Sequence, residues 1–79
     1  MKYYECVIPR LDHHSEVIIH VAADDIAKAE NAVIHYYEEN LQRTYGEFTG
    51  KVFESSSSSF WWAYTTPNLL QNDHRVIFG

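Results

Sequence analysis

Residues 24–42, DDIAKAENAVIHYYEENLQ, carry the one clear helical period in this chain, and the rest of the sequence has to be organised around it. Ile26, Ala29, Val33 and Tyr37 step by three or four and predict a single apolar face, with Tyr36 and Leu41 at its margins. Lys28, Asn31, His35, Glu38, Glu39 and Gln42 fall on the opposite face. Asp24 is the expected N-cap, since a carboxylate there accepts a bond from a free first-turn N–H. Asp24 and Asp25 also sit where the helix dipole favours anions, whereas Glu38 and Glu39 sit at the end where negative charge is mildly unfavourable. Gly46 is the expected stop, after a polar turn at residues 42–44.

Strand-like stretches flank this helix. Residues 2–10, KYYECVIPR, alternate Tyr4, Cys6 and Ile8 with Tyr3, Glu5 and Val7, and Pro9 ends the ladder or marks an edge. Residues 16–22, EVIIHVA, place Val17, Ile19 and Val21 on one face and Ile18 and His20 on the other. The short polar link at residues 11–15 makes these two an antiparallel hairpin. Residues 47–54, EFTGKVFE, predict a third strand, in which Gly50 implies a bulge or a close backbone approach. The five serines at 55–59 read as a flexible hairpin loop. Residues 60–66, FWWAYTT, have strong β-propensity and predict a fourth strand. After a polar connection at residues 67–73, residues 75–78 offer a short fifth strand along an edge.

The expected fold is α+β: an antiparallel four- to five-stranded sheet, β-β-α-β-β with a short C-terminal edge strand, packed against one helix. Seventy-nine residues make one domain, which buries only about 60% of its unfolded surface. One helix covers one face of such a sheet. Tyr4, Cys6, Ile19, Val21, Val52 and Trp62 are expected toward it, and Tyr3, Val7, Ile18, Phe53 and Trp61 on the open face. With twelve aromatic side chains in so short a chain, that open face is where surplus rings would meet a partner.

Chemistry-bearing constellations are sparse. His13 and His14 are adjacent in a turn and point apart, and no helical His-x-x-x-His pair exists, so no metal site and no cofactor are expected. Cys6, the single cysteine, lies mid-strand without a basic neighbour in sequence, which reads as a buried structural thiol. The serine run lacks a Gly-x-Ser-x-Gly context, and no glycine-rich phosphate loop occurs. A catalytic role for Cys6, His20 or His35 is the weakest reading. The net charge of −5 argues against a simple nucleic-acid binder and permits binding to a basic surface. It also serves plain solubility. Asp24, Asp25, Glu38 and Glu39 are solvated face residues on the bland reading. On the sharper one they form an acidic recognition strip that works with Tyr3, Phe53 and Trp61. Residues 1–10 lack a basic region followed by a long apolar run, and no run approaches bilayer length, so a cytoplasmic location is expected.

VAADDIAKAENAV (residues 21–33), GEFTGKVFE (46–54) and SSFWWAY (58–64) together resemble the small phage-encoded anti-CRISPR proteins. The likeness is to inhibitors of type I systems that have a hairpin, a helix and a second aromatic hairpin, and it spans roughly residues 3–64. It carries over no individual functional residue. It implies a non-enzymatic inhibitor in the host cytoplasm. Such a protein binds a subunit of the DNA-recognising surveillance complex, Cascade, and blocks target DNA or nuclease recruitment. The alternative from another class is a small regulatory or antitoxin-like module that dimerises through the open sheet face.

Overall fold

The computed structural model describes residues 1–9, 16–66 and 74–79. Arg10, the expected turn at residues 11–15 with His13 and His14, and the connection at residues 67–73 lie outside the described residues. The hairpin forms as expected. β1 (Lys2–Pro9) pairs antiparallel with β2 (Glu16–Ala23), with Tyr4 opposite Val21 and Cys6 opposite Ile19. Helix α1 (Ile26–Asn40) follows, then a single turn, α2 (Gln42–Tyr45), ended by Gly46 at φ +82°. A side chain is strained at that φ, so glycine suits the stop. β3 (Val52–Glu54) pairs antiparallel with the other edge of β1, helix α3 (Ser57–Thr65) comes next, and β4 (His74–Phe78) closes the sheet. The four strands lie in the order β3-β1-β2-β4.

The fold is α+β, but the sheet is mixed rather than purely antiparallel. β4 is the expected edge strand, yet it runs parallel to β2, with Ile18 beside His74 and Ala22 beside Phe78. β3 and β4 therefore point the same way from opposite edges, and the chain between them has to cross the whole sheet. A hairpin would have returned it antiparallel beside β3. The first crossover, through α1, moves from β2 to β3; the second, through α3, moves back. Two crossovers of opposite direction share one hand only if they use opposite faces, and α1 and α3 do lie on opposite faces.

The main core lies under α1. Ala29, Val33 and Tyr37 pack on Tyr4, Cys6, Ile8, Val17, Ile19, Val21 and Val52. The Tyr37 hydroxyl donates to the Gly46 carbonyl at 2.6 Å, and Phe48 meets its ring edge-on at 5.1 Å. That ties the chain after α2 back onto the helix. Two details of α1 differ from expectation. The N-cap is Asp25, not Asp24: its carboxylate accepts from the Lys28 N–H at 2.9 Å, while Asp24 pairs with the Lys28 ammonium at 3.3 Å. Ile26 is exposed, because it lines a shallow hollow at the sheet's edge with Lys2, Tyr4 and Glu54 rather than reaching the core. Gly50 lies just outside β3 and is a close approach, since a Cβ there would sit 2.5 Å from Cys6 Sγ. Of the expected third strand, residues 52–54 alone pair.

The largest correction concerns residues 55–66. The serine run is not a hairpin loop and FWWAYTT is not a strand. Ser56 caps α3 by accepting from the Ser59 N–H at 3.1 Å, and residues 57–59 form its first turn. At the other end Thr65 and Thr66 donate to the Trp61 and Trp62 carbonyls at 2.8 and 2.5 Å, back-bonding their hydroxyls onto the last turn. Burial decides against the β-propensity of the rings. As a helix the segment sends Phe60 and Ala63, three apart, onto the sheet. In register, Tyr3, Ala22 and Phe78 form one row across the sheet. The small Ala22 leaves room for Phe60, whose ring lies 5.1 Å from Tyr3 and 5.5 Å from Phe78.

Candidate functional site

Helix α3 covers the face that was expected to be open, and in doing so it becomes the outer surface itself. With Phe60 and Ala63 turned inward, the 3.6-residue period turns Trp61, Trp62 and Tyr64 outward. They are 44%, 49% and 50% exposed, and Phe78 at the end of β4 is 56% exposed. These rings are held by one another rather than scattered. Trp61 meets Tyr64 edge-on at 5.2 Å and donates its indole N–H to the Tyr3 hydroxyl at 3.3 Å. Tyr64 meets Phe78 at 6.3 Å, and Trp62 meets the His74 ring at 5.4 Å.

Beneath Trp62 lies a polar chain that the sequence reading did not assemble. His20 is 1% exposed, and its Nε2 lies 2.9 Å from His74 Nδ1, with the two rings stacked at 5.2 Å. On its other side His20 Nδ1 faces Glu5 Oε1 at 3.8 Å, beyond hydrogen-bond reach. It is the one buried side-chain nitrogen or oxygen among the described residues without a hydrogen-bond partner. The Ser55 hydroxyl donates to the other oxygen of Glu5. Charge fixes the tautomer: a proton on Nδ1 faces the carboxylate favourably, whereas a lone pair there would be repelled. His20 Nε2 then accepts from His74 Nδ1–H. Burial pulls the His20 pKa below its ordinary 6.5; the Glu5 carboxylate opposes this and His74 adds to it.

As chemistry, this chain is wired the wrong way for a serine nucleophile. Ser55 is bonded to the carboxylate and not to an imidazole, so the serine–histidine–carboxylate order of a catalytic triad is not formed. Cys6 is fully buried in the α1 core, and burial pushes its thiol pKa up to about 11, as befits a structural thiol. His35 sits on the exposed face of α1, 3.1 Å from Glu39. Among the described residues, no three His, Cys, Asp or Glu side chains gather where they could hold a metal ion, and no helix is long and apolar enough to cross a membrane.

The residues expected to form the recognition surface separate into two groups. Tyr3 and Trp61 come together, joined by their hydrogen bond, and Phe53 lies on the same side of the sheet, half-exposed on β3 opposite Glu5. Asp24 and Asp25 lie at one end of α1 and Glu38 and Glu39 at the other, all exposed, in the opposite layer. Acid strip and rings therefore do not form one surface. Trp62, placed inward by the sequence reading, is outward, because its segment has a helical rather than a two-residue period. The signal that could have found α3 was Ser56, four residues before a helix-spaced Phe60–Ala63 pair. No protein-family model matches the chain, and no curated protein or solved structure matches it.

Proposed function

We propose that this chain is a non-enzymatic inhibitor that acts by docking the outer face of α3 on a protein partner. The observation that carries this reading is the cluster of Trp61, Trp62, Tyr64 and Phe78, each about half exposed and held by its neighbours. Preordered aromatic side chains lose little entropy on docking and dominate the energetics of protein contacts. Stacking on nucleic-acid bases is the competing use of such rings, but it needs surrounding cations, and the chain carries a net charge of −5. That charge suits a basic surface of the kind that holds nucleic acid.

The partner class comes from the resemblance: a subunit of a type I CRISPR-Cas surveillance complex in the host cytoplasm, with target-DNA binding or nuclease recruitment blocked. The resembled inhibitors carry a second aromatic hairpin where this chain has β3 and α3. The reading therefore rests on surface chemistry rather than on a shared fold. Pull-down on purified type I complexes, followed by a DNA-binding assay, tests it; failure to bind a complex of any type I subtype removes this partner class. The acid strip of α1, facing away from the rings, acts at long range. Charge reversal of Glu38 and Glu39 to Lys is expected to weaken binding, with the larger loss at low salt. Unchanged affinity at low salt would leave those residues as plain solvated surface.

The other reading, a dimerising regulatory or antitoxin-like module, was to use the bare sheet face. That face carries α3, so a dimer on that side of the sheet would form through the α3 rings. Sedimentation separates the two readings, since a strict monomer at high concentration removes the dimer.

A further inference from the structure

We propose that the His20–His74 contact is an acid-sensitive latch that holds the first half of β4 against β2. This goes beyond the docking reading and is independent of it. The two ring nitrogens, 2.9 Å apart, are bridged by one proton. When both rings are charged, that contact becomes two N–H groups facing each other, with two positive charges in stacked rings under α3. Among the described residues no neighbouring group relieves this fully.

Among the described residues the groups facing the pair are few. β1 supplies Glu5, 3.8 Å from His20 Nδ1, and its second oxygen is taken by Ser55. On β2 the neighbours on this face are Ile18 and Ala22, and on β4 they are Val76 and Phe78. Arg75 alternates to the other face, although its Nη1 donates to the His74 carbonyl at 3.2 Å. α3 presents Trp62, and its single titratable side chain, Tyr64, packs on Phe60, Trp61 and Phe78.

The position of the pair makes the response local. β4 is an edge strand, paired among the described strands with β2 alone, and His74 is its first residue. Its far end is fastened by the Gly79 N–H to the Ala22 carbonyl at 2.9 Å and by Phe60 against Phe78. Charging the pair therefore frees His74, Arg75 and Val76 before Ile77 and Phe78. The direction with pH follows from linkage. Closed His20 binds a proton less readily than an open, solvated histidine. As pH falls through 6.5 the open form gains protons first, so opening is favoured, and stability present above that pH is lost toward the lower pKa of the closed form. Glu5 resists opening, because its carboxylate stabilises a proton on closed His20.

Amide hydrogen exchange, followed residue by residue by NMR from about pH 7.5 to about pH 5 and corrected for intrinsic rates, tests the latch. The expected result is a selective loss of protection at the Arg75 amide, ahead of the Ile77 amide that faces β2 on the same side, by up to about tenfold per pH unit for each proton taken up, while the α1 amides stay protected. Glu5→Gln should deepen the loss below pH 6.5, because it lowers the pKa of closed His20 further, and His74→Phe should reduce it to the part that burial of His20 alone sets. The proposal is overturned if protection at the Arg75 amide is unchanged down to about pH 5 or falls in step with α1. A Glu5→Gln profile that matches wild type also overturns it and, should His74→Phe fail to fold, decides the matter alone.

Discussion

Gly50 shows how one missing atom sets the packing beneath β3. A Cβ there would lie 2.5 Å from Cys6 Sγ and 3.1 Å from Ile8 Cγ1, and both neighbours are buried under α1 with little space to yield. Gly50→Ala is therefore expected to destabilise the protein by about 1–3 kcal/mol, the usual range for forcing extra volume into a packed core. Urea unfolding of the variant checks this; a midpoint equal to wild type would mean that the segment before β3 shifts away freely. Asp25 is a second single-residue decision. Two adjacent aspartates precede α1, and the one with extended backbone, φ −152° and ψ 173°, takes the cap. Sequence alone does not separate them, since either carboxylate reaches a first-turn N–H and the choice depends on where the chain turns off β2.

At the scale of elements, α3 carries most of what is new. Its helix holds by two unequal means, the Ser56 cap and the burial of Phe60 between Tyr3 and Phe78. Ser56→Ala should cost about 1 kcal/mol, whereas Phe60→Ala should cost about 3–5 kcal/mol and detach α3 from the sheet. Thermal melts and the near-ultraviolet circular dichroism of the tryptophans measure both; equal effects would refute this division. The β1–β2 hairpin and the inward face of α1 were legible in the sequence, because Tyr4, Cys6 and Ile8 alternate and Ala29, Val33 and Tyr37 keep a helical step. In α3 local preference and burial disagree. Phe, Trp and Tyr favour strands, and five serines suggest a loop, yet the chain has to cross the sheet to reach β4. The parallel pairing of β4 is a long-range fact that no local pattern encodes. The missed α3 also hid the site: read as a strand, Trp61 and Tyr64 point to opposite faces, so Trp61, Tyr64 and Phe78 never appear as neighbours. His20 and His74, 54 residues apart in sequence, meet through the same pairing.

For the whole molecule, the consequence is a sheet covered on both sides, with acid on the α1 layer and rings on the α3 layer. The sheet face expected to meet a partner is used up inside the fold, and the surplus aromatics move one layer outward onto α3. In the proposed function that outer surface docks on the partner, and the α1 acids contribute steering alone. The double variant Trp61→Ala/Trp62→Ala puts this to the test, since both rings are about half exposed and the variant keeps Phe60 and Ala63 in place. The deciding measurement is titration of wild type and this variant onto a purified type I surveillance complex while its binding of target DNA is monitored. Wild type should bind stoichiometrically and abolish DNA binding, and the variant, melting as cooperatively as wild type, should lose affinity by about thirtyfold or more, the effect of removing a central aromatic anchor. Full inhibition by the variant, or no binding by wild type, would contradict the assignment of function to the α3 face.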